Sequence, residues 1–402
     1  MYSIIIGYFF KKTIEKVIKS AKTVQKNQIV DFDNDYHLYL ASRTDNKSFG
    51  EVIMKFKIVP VFLLILIVFA VLATGCTNSK ETPVAVEPIE EVEEVAVESE
   101  YPLVIKHAFG ETIIESKPER IATISWGNHD VPLALGIEPV GVSMANYGVL
   151  DESGLLPWTK AAFEKMGVTA PVIFNDMTGL DYEAINDAEP DVILAAYSGI
   201  TQEEYNLLSE IAPVIAYPEN AWQTYWRDQI LLNSKGMGMQ KEGQTLVAEL
   251  ENLISDKIAG YPVLEGKTAA FFWFNPTDMG KFYVYLPADP RAAYLTDLGM
   301  VFPQSVLDIA KGSESFAIEL SAENADLLND IDVIVTYGNE ELLEIMKSDA
   351  LIGMIPAVKR GSVAVIEDGT PLAASGTPSA LSIGATIDEY LEILAAAAGL
   401  VE

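Results

Sequence analysis

Histidine and cysteine are the scarce residues of this chain: His37, His107, His129 and the single Cys76 stand among 402 residues. Three histidines are too few for a His-rich zinc or manganese cage. One cysteine excludes a disulfide framework and a cysteine-built metal site. Covalent catalysis lacks its parts too. There is no G-x-S-x-G elbow, no Gly-rich Lys-Ser/Thr phosphate loop and no H-E-x-x-H. Ser375, within Ala373-Ala-Ser-Gly-Thr-Pro378, has no base, because nothing places His107 or His129 beside it. The sequence does supply aromatic side chains and a few arginines where apolar runs end. Trp126 and Asn128, Asn146 and Tyr147, and Tyr197 and Ser198 follow three such runs. Trp222, Tyr225 and Arg227 come next, then Trp273, Tyr285, Arg291, Tyr337 and Pro371. Trp and Tyr bury large flat areas and keep a polar handle, and Arg offers a fork of donors. That set suits noncovalent binding across flat amphipathic surfaces, with no enzyme chemistry, no cofactor and no metal held by the protein itself.

Taken singly, each aromatic fits a core as well as a cleft. Trp126 and Tyr197 favour the cleft, since both end apolar runs beside Gly or Ser; Trp158 and Trp226 read as packing. His129 reads as a helix-start residue. After residue 75 the only arginines are Arg120, Arg227, Arg291 and Arg360. So few forks suit a neutral or weakly charged ligand better than a strongly anionic one.

The elements that must position these residues alternate. Leu103–His107 and 111–116 flank Phe109-Gly110 as a hairpin. Residues 120–125 read as a buried strand, 128–135 as a helix ending at Gly136, and 139–142 as a strand. The run 191–196 is apolar throughout, as in a parallel strand covered on both faces. Strands over 268–274, 282–286, 332–336 and 362–366 repeat the grammar. Tyr182-Glu183-Ala-Ile leads to Asp191-Val-Ile-Leu, and Ala322-Glu323-Asn-Ala leads to Asp332-Val-Ile-Val. The expectation is an α/β fold of two Rossmann-like lobes, 101–222 and 261–402, with a ligand cleft between them. Leu246, Leu250, Leu253, Ile254 and Ile258 recur at helical spacing, so 223–260 is read as a long, rigid helical backbone interrupted near Gly236-Met-Gly238.

The first hundred residues read as address and tether. Ile58–Ala73 is apolar for 16 residues, short for a spanning helix. Lys55 and Lys57 precede it, and Leu72-Ala-Thr-Gly-Cys76 follows. That is a signal peptide over 54–75, with Cys76 where a bacterial lipoprotein would be acylated. The lipobox more often has Leu where Ala73 stands. Residues 1–53 read as a misassigned upstream extension. Removing 1–75, with 10 basic and 6 acidic groups, leaves 17 basic and 52 acidic ones. Residues 77–100 hold eight Glu and no aromatic, the composition of an extended acidic tether. The formal net charge of −31 argues against nucleic acid and anionic lipid surfaces as partners.

Several segments taken together resemble the helical-backbone class of substrate-binding proteins of bacterial ABC importers, the ferric-siderophore and cobalamin binders. They are Lys117-Pro-Glu-Arg-Ile121, Ser125-Trp-Gly-Asn-His-Asp130, Leu133-Ala-Leu-Gly136, Glu189-Pro-Asp-Val-Ile-Leu194, Tyr197-Ser-Gly199 and Ile211-Ala-Pro-Val-Ile215. Asp289-Pro-Arg291, Leu298-Gly299, Pro356-Ala-Val-Lys-Arg-Gly-Ser362 and Thr370-Pro-Leu372 complete them. The resemblance covers nearly all of 101–402. It implies a monomeric receptor, anchored by lipid on the extracytoplasmic face of the membrane. Such a receptor hands a ferric siderophore to a permease dimer with a cytoplasmic ATPase. The Ser-Trp-Gly and Tyr-Ser-Gly wording is closer to siderophore binders than to cobalamin binders; cobalamin or haem stays the alternative ligand. In this class a Glu on each lobe docks on permease arginines, which points to Glu183 and Glu323, with Glu319 as the rival. A ligand-sensing lipoprotein without a transport role is the alternative of another class.

Overall fold

The computed structural model describes residues 101–401, all within one compact unit, Val92–Glu402. The expected upstream extension, signal peptide, acylated Cys76 and acidic tether lie outside the described residues. No helix among the described residues is long and apolar enough to cross a membrane.

Strands β1 (Leu103–His107) and β2 (Gly110–Ile114) pair as the expected hairpin. The first sheet follows: β3 (Ile121–Thr123), β4 (Gly141–Ser143), β5 (Ile173–Phe174), β6 (Val192–Ala195) and β7 (Val214–Ala216). Between them run α1 (Asp130–Ala134), α2 (Pro157–Lys165), α3 (Tyr182–Asp187) and α4 (Gln202–Ser209). The order is β5-β4-β3-β6-β7, all parallel, so the chain reverses its winding between β3 and β6. At that point in a parallel sheet a crevice opens beyond the strand ends.

Two helices, α5 (Trp226–Gly236) and α6 (Gln240–Ile258), connect to the second half. The break between them falls where the sequence places it, with Gly238 at φ +66°. They pack against each other and together form the brace, in which α6 is about 28 Å long at 1.5 Å per residue. Leu250 and Ile254 are buried on its apolar stripe.

The second sheet holds β8 (Ala269–Asn275), β9 (Asp278–Tyr285), β10 (Ala317–Ser321), β11 (Val333–Gly338) and β12 (Val363–Glu367), in the order β10-β9-β8-β11-β12. Helices α7 (Pro290–Asp297), α8 (Gln304–Ala310), α9 (Leu342–Ser348), α10 (Pro356–Arg360), α11 (Pro371–Ala374) and α12 (Ser382–Ala398) surround it, with a 3-10 helix over Ala322–Leu328. This sheet is mixed. β8, β11 and β12 are parallel, whereas β9 is antiparallel to both of its neighbours, β8 and β10. Asn275 makes the difference: its side chain accepts from the Thr277 amide at 3.0 Å and closes a tight turn that sends β9 straight back along β8.

The central strands of both sheets are buried on both faces, whereas β9 and β10 are partly exposed, and the pleat sorts the buried residues by parity. Val192 and Leu194 join the central core that also holds Trp226, Ile230, Leu250 and Ile254, while Ile193 and Ala195 face a separate core. Phe271, Val335 and Tyr337 likewise face the central core, and Ala270, Phe272 and Ile334 the outer one. The connecting helices and α12 thus pack between the inward faces of the two sheets, so the lobes share one core rather than a linker.

Candidate ligand-binding cleft

On the first lobe the turn after β3 is unusual for its backbone. Ser125 and Gly127 have φ +63° and +67° on either side of Trp126. A non-glycine residue held at positive φ needs surrounding bonds to keep it there. The Ser125 amide donates to Ser143 Oγ at 2.8 Å, and Ser143 in turn donates to Asp176. The Trp126 carbonyl accepts from Gln229 Nε2 of α5 at 3.0 Å.

Asn128 is the hub of this lobe. Its Nδ2 donates to the Ile124 carbonyl at 2.7 Å and the Tyr197 carbonyl at 2.9 Å. Its Oδ1 accepts from the Tyr197 amide, from Asn233 Nδ2 at 3.0 Å and from Gln229 Nε2 at 3.3 Å. One fully buried amide therefore fixes the strand ends behind both Trp126 and Tyr197 to the brace. Tyr197 meets Trp222 edge-on, centroids 5.3 Å apart. Trp222, at φ +62°, donates its amide to the Ser198 carbonyl at 3.0 Å. The indole lies so close over Gly199 that any side chain there would overlap it.

On the second lobe the aromatic side chains stand on a face of the sheet rather than beyond its strand ends. Phe271, Trp273, Tyr283, Tyr285 and Tyr337 project from one face of the sheet: Trp273 is paired with Tyr283, and Phe271 lies edge-on to Tyr285 at 5.6 Å and to Tyr337 at 4.9 Å. Over this face lies Arg291, its Cζ 4.2 Å from the Tyr285 ring centroid. Asp289, with no exposed surface, caps α7 by accepting from the Arg291 amide at 2.8 Å. It also grips the guanidinium through Nε at 2.9 Å and Nη2 at 2.7 Å. Burial raises the hydroxyl pKa of Tyr197, Tyr285 and Tyr337, so these rings stay neutral donors.

The lobes touch at both rims. On one, Tyr147 donates to Asp368 and accepts from the Gly369 amide at 3.0 Å. On the other, Gln223 Nε2 donates to the Glu314 carbonyl at 2.8 Å and Tyr225 to the Pro287 carbonyl at 3.0 Å. Arg291 and Thr377 of the second lobe lie near enough to Tyr197 of the first to offset part of the rise in its hydroxyl pKa. At the floor, Ser379 donates to buried Asp130, which also accepts from Trp158 Nε1 and Thr159 Oγ1, each at 3.0 Å. Burial raises the Asp130 pKa and lowers that of His129, whose Nε2 is 3.5 Å from the same carboxylate.

The structure thus brings together Tyr147, Tyr197, Trp222, Tyr225, Arg291 and Tyr337 where the lobes meet, with half-buried Trp126, Trp273 and Pro371 on the surrounding elements. Three expected ligand contacts are corrected. Asn128 is spent on the hub. Ser198 is buried and donates to the Ala195 carbonyl at 2.8 Å. Arg227 pairs with Glu251 at 2.7 Å and Asp297 at 2.9 Å, tying α5 to α6 and α7. Its charge serves the brace because its position in the first turn of α5 points it at those two helices. Asp289, Asp368, Gln229 and Thr377 were not anticipated. Only Asp289 had a signal: an acid directly before Pro-Arg is a helix cap.

Glu183 and Glu323 are both exposed near the starts of α3 and the 3-10 helix. The likeness of their segments is structural. Asp191 accepts from the Glu119 and Arg120 amides, and Asp332 from the Thr268 amide, each bracketing the start of its central strand. Glu319 differs: its carboxylate is held by Lys281 at 2.9 Å and by Tyr283 on the cleft-side face of the sheet.

The sequence profile of the periplasmic binding protein family matches residues 121–369. Two crystal structures of PiaA from Streptococcus pneumoniae TIGR4 are similar throughout. One, in complex with ferrichrome, is 51% identical with a TM-score of 0.72, covering 74% of this chain and 99% of that one. The other is 50% identical with a TM-score of 0.69, covering 74% of this chain and 100% of that one. A probable siderophore-binding lipoprotein of Bacillus subtilis (strain 168), YfiY, is 24% identical over 339 residues, 82% of this chain and 97% of that protein.

Proposed function

Because the chain belongs to the periplasmic binding protein family, a family of solute receptors rather than enzymes, we propose that it captures a ferric siderophore between its lobes and delivers it to an ABC importer. The observation that carries this reading is the wall of neutral aromatics around a single, already compensated arginine. A chelated iron needs no protein ligand. It needs flat amphipathic surfaces and a few donors.

Trp126, Tyr147, Tyr197, Trp222, Tyr225, Trp273, Arg291, Tyr337 and Pro371 are the proposed contacts. The ferrichrome held by the 51%-identical PiaA supports a neutral ferric hydroxamate as the substrate class. In this reading Cys76 carries the lipid, 77–100 is the tether, and Glu183 and Glu323 meet basic side chains of the permease.

Trp126, Trp222 and Trp273 are all half-buried at the site, so tryptophan emission is the direct test. Titration with ferric hydroxamates, ferric catecholates, haem and cobalamin is expected to respond to a ferric hydroxamate at the lowest concentration. A response confined to haem or cobalamin overturns the assignment.

A further inference from the structure

Arg291 is the one cation among the proposed contacts, and its surroundings are specific. Two of its nitrogens are committed to Asp289, whose carboxylate is wholly buried. The third, Nη1, has no hydrogen-bond partner among the described residues, although the side chain is only 15% exposed. The cation also lies over the Tyr285 ring. A guanidinium in this setting still offers a directed donor but brings no net charge, since the paired carboxylate cancels it at contact distance.

From this we infer that Asp289 is the residue that sets the charge class of the ligand: by neutralising Arg291 inside the cleft, it admits an uncharged ferric chelate and withholds the attraction that an anionic one would need. The inference rests on the siderophore reading above and goes beyond it by assigning selectivity to a residue that does not itself offer a face to the ligand. Asp289 is therefore a positioning and charge-setting residue rather than a contact. Uncompensated, the same arginine in a water-poor cleft would favour polyanionic guests.

The test measures affinity for ferrichrome and for a strongly anionic ferric tris-catecholate in the wild-type protein and in three variants. Asp289→Asn keeps a side-chain oxygen to cap α7 but removes the negative charge. It is expected to raise the catecholate-to-hydroxamate affinity ratio by about tenfold or more. Arg291→Gln leaves Asp289 uncompensated and is expected to move the ratio the other way. The double variant Asp289→Asn/Arg291→Gln is neutral again, and is expected to return the ratio to near the wild-type value even where both affinities drop. If Asp289→Asn weakens both ligands in proportion, or the double variant fails to restore the ratio, Asp289 only holds the loop and the inference is wrong. If Asp289→Asn does not fold, an unchanged ratio in Arg291→Gln overturns it equally. A wild-type protein that binds neither ferric complex refutes the siderophore reading, and this inference with it.

Discussion

At the scale of single residues, the site is set by groups that never face the ligand. Asn128 is the strongest case, since its amide satisfies donors and acceptors on two strand ends and on the brace. Asn128→Ala leaves the buried Tyr197 amide and carbonyl without their partner. A loss of roughly 2–4 kcal/mol of stability is expected, as for other buried polar groups stripped of a partner. Denaturant melts measure it, and a loss under about 0.5 kcal/mol, the range of ordinary surface substitutions, would show that the hub is not structural. His107 gives a pH-dependent counterpart. Its Nδ1 accepts from the Phe109 amide at 3.2 Å, so the proton sits on Nε2 and is donated to Thr112 Oγ1 at 2.9 Å. Burial lowers its pKa below the usual value. The neutral ring is therefore preferred in the folded state. Its contribution is complete above the unfolded pKa of about 6.5 and declines as the pH falls below it, where the unfolded chain takes up the proton first. Stability measured from pH 7.5 down to pH 5 should fall more steeply in the wild type than in His107→Gln; equal slopes would remove His107 from the account.

At the scale of elements, the turns matter more than the strands they join. The sequence showed most of the strands, because a sheet covered on both faces must be apolar throughout. It also showed the helix break at Gly236-Met-Gly238, because glycines cannot sustain the pattern. It did not show that β9 returns antiparallel. That depends on one side chain, Asn275, closing a turn between two apolar runs that would read the same in either direction. It also did not distinguish Asn128, Ser198 and Arg227 from side chains left facing the space between the lobes. A polar residue after a strand looks the same whether it faces a cleft or ties two loops together; the partners that decide it, such as Gln229, Asn233 and Asp297, are distant in sequence. Gly199 shows how tightly these turns are fitted. Gly199→Ala pushes the Trp222 indole out of its place against Tyr197. The expected result is a loss of about 1–3 kcal/mol, typical of overpacking, together with at least about tenfold weaker ligand binding. Unchanged ligand affinity in Gly199→Ala would show that Trp222 is not part of the wall.

At the scale of the whole molecule, the two lobes share a core through α5, α6 and α12, and Arg227 and Lys257 pin that core with bonds to Asp297, Glu251 and Asp388. Such a frame permits small adjustments at the rims, where a few hydrogen bonds join Tyr147 to Asp368 and Gly369 and join Gln223 and Tyr225 to Glu314 and Pro287, and resists wide opening. An exposed carboxylate on each lobe then keeps a nearly fixed separation, which suits recognition by a symmetric basic partner. Glu183→Ala combined with Glu323→Ala is expected to leave ligand affinity unchanged and to reduce uptake into cells severalfold. Full uptake by the double variant would assign docking to other residues. Because Glu319 is already held by Lys281 and Tyr283, its replacement is expected to leave uptake intact.

The central idea is that an iron chelate is held whole, by surfaces rather than by ligands to the metal. Equilibrium dialysis against ferrichrome, with iron and siderophore each quantified in the protein compartment, tests this directly. The account predicts that the two are retained in equal amounts, one complex per chain, and that unchelated ferric iron is not retained. Iron kept without its siderophore, or no retention of the complex, would contradict it.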